Sequence, residues 1–308
     1  MKRREFIVRS LAATAGMMLA PTVFSSCRSS VVGKKLTLLH TNDMHSHIDP
    51  FSEGKFKGLG GMAARDLAIR KVRSEADALL LLDVGDVFQG TPYFNMFGGE
   101  LELKLMSKMG YDATTIGNHE FDNGLIGLRE ALSFANFPYL SANYDFSRTE
   151  MSGHTQPCMV LNRGGLKVGI FGLGVELDGL VDPKMYGATR YEDPVAVARE
   201  MVAELEGQGC DLIICLSHLG YEYRDPEKVS DQVLAREVSG IDIILGGHTH
   251  TFLEAPVQVI NPDGFTTLIN QVGWAGVQLG RIDILFTEAG KIPIAQGPIS
   301  LISNETKG

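Results

Sequence analysis

Five short segments of this 308-residue chain gather side chains able to ligate metal ions: Thr41-Asn42-Asp43-Met44-His45, Asp83-Val84-Gly85-Asp86, Gly117-Asn118-His119-Glu120-Phe121-Asp122, Ser217-His218 and Gly246-Gly247-His248-Thr249-His250. With His40 at the edge of the first, they hold six of the eight histidines, so the imidazoles are concentrated rather than scattered. Imidazole nitrogens mixed with carboxylate and amide oxygens, and without thiolate, suit Mn, Fe or Zn in a reactive centre rather than a cysteine-built structural zinc. Asp43-x-His45 and His248-x-His250 put two ligands on one side of an extended segment or turn. A carboxylate such as Asp86 can bridge two ions, which in two-metal hydrolases lie ~3.5–4 Å apart. Such a pair lowers the pKa of bound water and clamps the oxygens of an in-line displacement. On a phosphate ester, positioning and charge neutralisation then do most of the work.

Each segment follows a short apolar run. Those runs are Leu36–His40, Ala78–Leu82, Ala113–Ile116, Leu212–Leu216 and Ile241–Leu245, with Tyr139–Ala142 and Lys167–Gly172 of the same kind. Their length and bounding Gly, Asp and Asn residues predict buried strands. Helical periodicity predicts helices at Met62–Glu75, Leu101–Lys108, Leu125–Asn136, Pro194–Gln208 and Ser230–Val238. Strands alternating with helices give an α/β architecture with buried sheets, whose ligands gather outside the carboxyl ends of the strands. After Gly247, the runs Val257–Ile260, Thr266–Asn270 and Gln278–Phe286 read as an antiparallel closing section of a second sheet. Other chemistry-bearing residues read as structural. His40 is expected in the core or behind a ligand, His154 in solvent, and Trp274 in a sheet. Gly58-x-Gly60-Gly61 is expected to be a turn that lets the next helix pack closely, and Cys158, Cys210 and Cys215 to lie in the core without a disulfide framework.

Asp43-x-His45, Gly85-Asp86-x3-Gly90, Gly117-Asn118-His119-Glu120-Phe121-Asp122, Ser217-His218 and Gly247-His248-x-His250 together resemble the ordered signature of the calcineurin-like metallophosphoesterases. The contexts Leu39-His40-Thr41-Asn42-Asp43 and Asn118-His119-Glu120-Phe121-Asp122 narrow the resemblance to the periplasmic 5′-nucleotidase / UDP-sugar hydrolase family, over about residues 36–290. The resemblance implies a four-layer α/β/β/α sandwich with two mixed sheets and a centre of two divalent metal ions. Asp43, His45 and His250 would hold the first ion, Asn118, His218 and His248 the second, and Asp86 would bridge them. His119 would act beside the metals on the transition state or the leaving alkoxide, oriented by Asp122. The implied reaction is hydrolysis of a phosphate monoester, a nucleoside 5′-monophosphate foremost, by attack of a metal-bound hydroxide. Phosphodiester, cyclic-nucleotide or UDP-sugar hydrolysis on the same centre is the enzymatic alternative, and a non-enzymatic surface lipoprotein scaffold is the alternative from another class. Typical members continue for a further domain that holds base and phosphate. No such clamp is visible before Gly308, so the expectation is either a separate substrate-binding protein as partner or hydrolysis of simpler phosphate esters unaided.

The formal net charge of −9, with no basic run beyond the first ten residues, argues against a nucleic-acid polymer as partner. Lys2-Arg3-Arg4-Glu5-Phe6-Ile7 followed by the small and apolar stretch Leu11 to Phe24 reads as a signal peptide over residues 1–26, of twin-arginine type. Phe24-Ser25-Ser26-Cys27 resembles a lipoprotein-processing site, with Cys27 as the acylated residue and the only membrane attachment. Residues 27–35 read as a tether, 36–303 as the catalytic domain and 304–308 as a polar tail. The expected location is the periplasm or cell envelope.

Overall fold

A computed structural model describes residues 31–301, apart from 226, 288–289 and 296–297. The expected signal peptide, Cys27 and the tail at 304–308 lie outside the described residues. In chain order the strands are β1 (Lys35–Thr41), β2 (Leu79–Asp83), β3 (Thr114–Thr115), β4 (Tyr139–Leu140), β5 (Tyr144–Asp145), β6 (Cys158–Arg163), β7 (Leu166–Gly174), β8 (Arg190–Tyr191), β9 (Leu212–His218), β10 (Ile243–Gly246), β11 (Val257–Ile260), β12 (Thr266–Asn270), β13 (Gln278–Thr287), β14 (Gly290–Ala295) and β15 (Ile299–Ser300). The helices are α1 (Met62–Glu75), α2 (Pro92–Phe97), α3 (Glu100–Met109), α4 (Gly124–Leu132), α5 (Pro183–Tyr186), α6 (Pro194–Gly207) and α7 (Asp231–Glu237).

One sheet runs β14-β13-β1-β2 with β15 also on β13; the other runs β11-β12-β10-β9-β7-β6. Both are mixed. β1 pairs parallel to β2 and antiparallel to β13, while β7, β9, β10 and β12 run parallel with antiparallel strands at each edge. Side chains alternate across each strand, and the alternation sorts the core into layers. Leu36, Leu38, Leu80 and Leu82 meet Val168, Ile170, Ile214, Leu216, Ile243 and Leu245 between the two sheets. Leu39, Leu79 and Leu81 point the other way, onto Ile69 and Val72 of α1, Leu103 and Met106 of α3 and Leu128 of α4. On the far side, Phe171, Ile213, Cys215 and Ile244 pack on Val197 and Leu205 of α6 and Leu234 of α7. The result is helix, sheet, sheet, helix. Each fully buried leucine in these layers contributes roughly 1.5–3 kcal/mol, which is why strands buried on both faces appear as unbroken apolar runs.

Two expectations about elements need correction. β13 does not close the second sheet; it pairs with β1, with Leu38 opposite Ile282. A strand's alternation reveals that one face is buried, not which neighbour it will find. Only β11 and β12 join the second sheet, and β12 lies parallel to β10. The run Ala113–Ile116 forms only the short β3, paired with β4, and Ala113 bridges to Leu82. The stretch expected as a tether already engages the fold near its end, where Gly33 N–H donates to the Phe286 carbonyl and Phe286 N–H to that of Lys34.

Candidate metal centre

β1 and β2 are parallel neighbours in one sheet and β9 and β10 in the other, and the residues at and after their carboxyl ends converge. Asp43 and His45 follow β1, Asp86 follows β2, His218 ends β9, and His248 and His250 follow β10. Asn118 and His119 follow β3, and a single 3-10 turn over His119–Phe121 carries the chain towards Asp122. Among the described residues eight that are not glycine have positive φ, and five of them are Asp43, His45, Asp86, His248 and His250. The left-handed region is unfavourable for such side chains and persists where surrounding structure imposes it, commonly at functional sites. Gly117 and Gly247 are required for close approach. A Cβ at Gly117 would lie 2.7 Å from His218 Nε2, and one at Gly247 2.8 Å from His218 Nδ1.

Three groups of ligand atoms lie within 4.8 Å of one another: Asp43, His45 and His250; Asp86, His218 and His248; and His45, Asp86 and His119. His45 Nε2 and His250 Nε2 are 3.0 Å apart, and His250 Nε2 is 3.4 Å from Asp43 Oδ1. His248 Nδ1 lies 2.8 Å from Asn118 Oδ1. His218 Nε2 is buried 3.1 Å from Asp86 Oδ2 yet has no hydrogen-bond partner among the described residues. These atoms converge on shared points, and His218 Nε2 is left without a partner there, as in a donor set for divalent cations. The backbone holds them there. His218 Nδ1–H donates to the Val84 carbonyl (2.6 Å), which turns Nε2 to the centre. His119 N–H donates to Asp86 Oδ1 (2.8 Å), and His248 N–H to both oxygens of Asp43 (2.9 and 3.0 Å).

Charge follows from this packing. Burial lowers the pKa of His45, and burial with the neighbouring His218 takes His248 down to about 4. His218 is more deeply buried than either, but the Asp86 charge overrides that and raises it to about 10. Asp86 in turn is held below the usual carboxylate range by His218, against its own burial. Asp86 therefore stays charged and needs positive charge beside it.

The calcineurin-like phosphoesterase family model matches residues 36–252, which include every one of these groups. The chain belongs to that family. It is 36% identical to the snake venom 5′-nucleotidase of Gloydius brevicauda over 94% of this chain and 52% of that protein. It is 31% identical to the probable 5′-nucleotidase of Treponema pallidum over 85% of this chain and 47% of the relative. The crystal structure of a 5′-nucleotidase precursor from Thermus thermophilus superposes with a TM-score of 0.79 at 34% identity, covering 87% of this chain and 55% of that one. The chain thus spans about half the length of the relatives it matches.

In this phosphoesterase domain all seven residues expected as ligands come together, and His119 Nδ1 lies 3.0 Å from Asp122 Oδ2 beside them. His40 is fully buried behind the centre and its Nε2 accepts from Asn270 Nδ2 (2.8 Å), while His154 is exposed. Cys215 is buried, but Cys158 and Cys210 are only half-buried; all three are free. Trp274 corrects another expectation: it lies in the turn between β12 and β13, stacked on His250 with ring centroids 5.5 Å apart. Two further residues support the ligands. Glu120 is wholly buried and accepts from the backbone N–H groups of Asp86 (2.9 Å), Val87 (2.8 Å) and Gly117 (2.6 Å), tying two ligand loops together. Burial and the Asp86 charge push its carboxyl up to about 7. Asn42 donates to Asp43 Oδ2 and to the Gly273 carbonyl, both at 2.6 Å, and accepts from Val272 N–H. Both were visible inside the motifs, but only their backbone partners reveal what they do.

Proposed function

We propose that this chain is a metal-dependent hydrolase of phosphate monoesters, with nucleoside 5′-monophosphates the favoured substrates. The observation that carries the reading is the pair of ligand groups either side of Asp86, with the His119–Asp122 pair beside them. Asp43, His45 and His250 would hold one divalent ion, Asn118, His218 and His248 a second, and Asp86 both. When bound, such ions neutralise phosphoryl charge and acidify water. The chain's own groups do the rest. Asp122, an acceptor, takes the Nδ1–H of His119 and leaves Nε2–H free to give its proton to the leaving alkoxide oxygen. Burial disfavours the charged ring, but the Asp122 hydrogen bond and the Asp86 charge outweigh it, so the pKa of His119 is raised. That keeps the proton on the ring towards neutral pH.

The nucleotide preference draws on the names of the similar proteins, and a separate substrate-binding polypeptide belongs to the reading as a partner. The test is a panel of AMP, p-nitrophenyl phosphate and bis(p-nitrophenyl) phosphate, with Mn2+ or chelator, and with or without a co-encoded partner. Monoester turnover that needs metal is expected; a preference for the diester, or turnover undiminished by chelation, would refute it. Export by the twin-arginine route with a lipid anchor at Cys27 completes the proposal. Changing Arg3 and Arg4 to lysine should leave the protein unexported, and normal export would count against that route.

A further inference from the structure

The loop that carries His248 and His250 has no regular structure of its own, yet it must hold two rings in place. Both residues lie in the left-handed region, with φ of +72 and +52, which side chains avoid unless their neighbours impose it. The neighbour here is Gln271. β12 runs parallel to β10 with Leu245 opposite Asn270, so the residue after β12 arrives level with the glycines from which the histidine loop departs. Backbone pairing also sets it beside the far end of that loop. Leu253 N–H donates to the Gln271 backbone carbonyl (3.1 Å), and Gly273 N–H to that of Thr251 (2.9 Å). Gln271 is wholly buried, at the end of a strand that already buries Leu268 and Ile269. A polar side chain sealed there is tolerated only if its hydrogen bonds are made.

They are made to the two ends of the histidine loop. Gln271 Nε2–H donates to the Gly247 carbonyl (2.6 Å), immediately before His248, and Oε1 accepts from Thr251 N–H, immediately after His250. A carbonyl can only accept and a backbone N–H only donate, so these partners fix which way the amide faces. Oε1 also accepts from Thr249 Oγ1 (3.1 Å), which itself receives Tyr221 N–H (2.9 Å). One planar group therefore pins the loop at its start, its middle and its end. Gly246 leaves room for this, since a Cβ there would crowd Gln271 Nε2 at 3.0 Å.

The loop gives one ring to each ligand group: His250 stands with Asp43 and His45, and His248 with Asp86 and His218. We infer that Gln271 is a positioning residue common to both metal positions. By holding Gly247 and Thr251 it fixes His248 relative to His250, and so sets the affinity of the two positions together. It acts through the loop backbone, with its amide committed to Gly247, Thr249 and Thr251. Replacing one ligand should weaken mainly its own position, whereas releasing a shared support should weaken both. This rests on the two-metal reading, so the test reads metal binding and needs no turnover.

Mn2+ is titrated calorimetrically into the metal-free full chain, with the Tm of the metal-free protein recorded beside it. The parent should take two ions. Gln271→Met has similar length but no amide, and should raise both dissociation constants roughly ten- to a hundredfold, as loss of a group supporting the ligands does. The EPR signal of the spin-coupled Mn2+ pair should weaken at concentrations that saturate the parent. His250→Ala should instead weaken one position far more than the other. Gln271→Glu fills the same volume and still accepts from Thr251 N–H, but sets an oxygen against the Gly247 carbonyl. It should raise both constants too, and it carries the test if Gln271→Met does not fold. A lowered Tm with both constants unmoved would make Gln271 a packing residue and overturn the inference, as would weakening of one position alone. A parent that binds no Mn2+ would bring down the two-metal reading and this inference with it.

Discussion

Removing the His119 proton should hurt an alkyl phosphate far more than an aryl one. In His119→Ala the group facing the leaving oxygen is gone, and general acid catalysis is worth about 10²–10⁴ in rate. An alkoxide needs that proton, whereas nitrophenolate leaves readily without it. The expected loss in kcat is therefore about 10²–10⁴ for AMP and well below that for p-nitrophenyl phosphate. Asp122→Asn tests the orientation. The His119–Asp122 contact is 3.0 Å long with side chains 32% and 30% exposed. A hydrogen bond to a charged group is worth roughly 1.5–3 kcal/mol, and solvent screening at this exposure brings it down to about 1 kcal/mol, or roughly fivefold in rate. The sign of the pH effect follows too. Asp122 raises the pKa of His119, and the working acid is the protonated ring, present below that pKa. Without Asp122, AMP hydrolysis should fall away at lower pH than in the parent. Steady-state kinetics on both esters across pH, with bound metal measured in each variant, decides it. Equal losses on both esters, or a fall displaced to higher pH, would show that His119 does not supply the proton.

Two further outcomes concern the scaffold. Glu120→Gln leaves at least one of three buried N–H groups facing an amide NH2, and an unsatisfied buried donor costs about 1–3 kcal/mol. Urea unfolding of the metal-free protein should show that loss, and an unchanged midpoint would remove Glu120 from its structural role. His40 is fully buried and its pKa falls to about 3 through burial alone. As pH drops below ~6.5 the unfolded chain takes up a proton that the folded one refuses, so stability declines by up to ~1.4 kcal/mol per pH unit until the folded pKa is reached. His40→Gln keeps an acceptor for Asn270 and lacks this dependence. Its stability relative to the parent should rise by roughly 2 kcal/mol between pH 6.5 and 5, and parallel curves would contradict the burial argument.

Local signals made much of this molecule legible. α1 coincides with its predicted span, and α3, α4, α6 and α7 fall within a few residues of theirs. α2 and α5 were missed although Thr91-Pro92 and Asp182-Pro183 mark their starts with a capping side chain and an N1 proline. Six and four residues are too few to show a helical period. Trp274 was misplaced because a single aromatic residue carries no period, and its position follows from Asn42 and His250, both distant in sequence.

The sequence by itself determined which residues can bind metal and that each closes an apolar run, because ligand chemistry and strand burial are written in residue type and spacing. It also determined the alternation of buried strands with helices, since strands buried on both faces are predominantly apolar. Tertiary structure alone decided that β13 joins β1, that Glu120 clamps two ligand loops, and that rings from Phe51 to Trp274 meet beside His250. These depend on pairing between segments far apart in the chain. Register and loop closure are set by the whole packing, and no local pattern encodes which distant backbone a side chain will find.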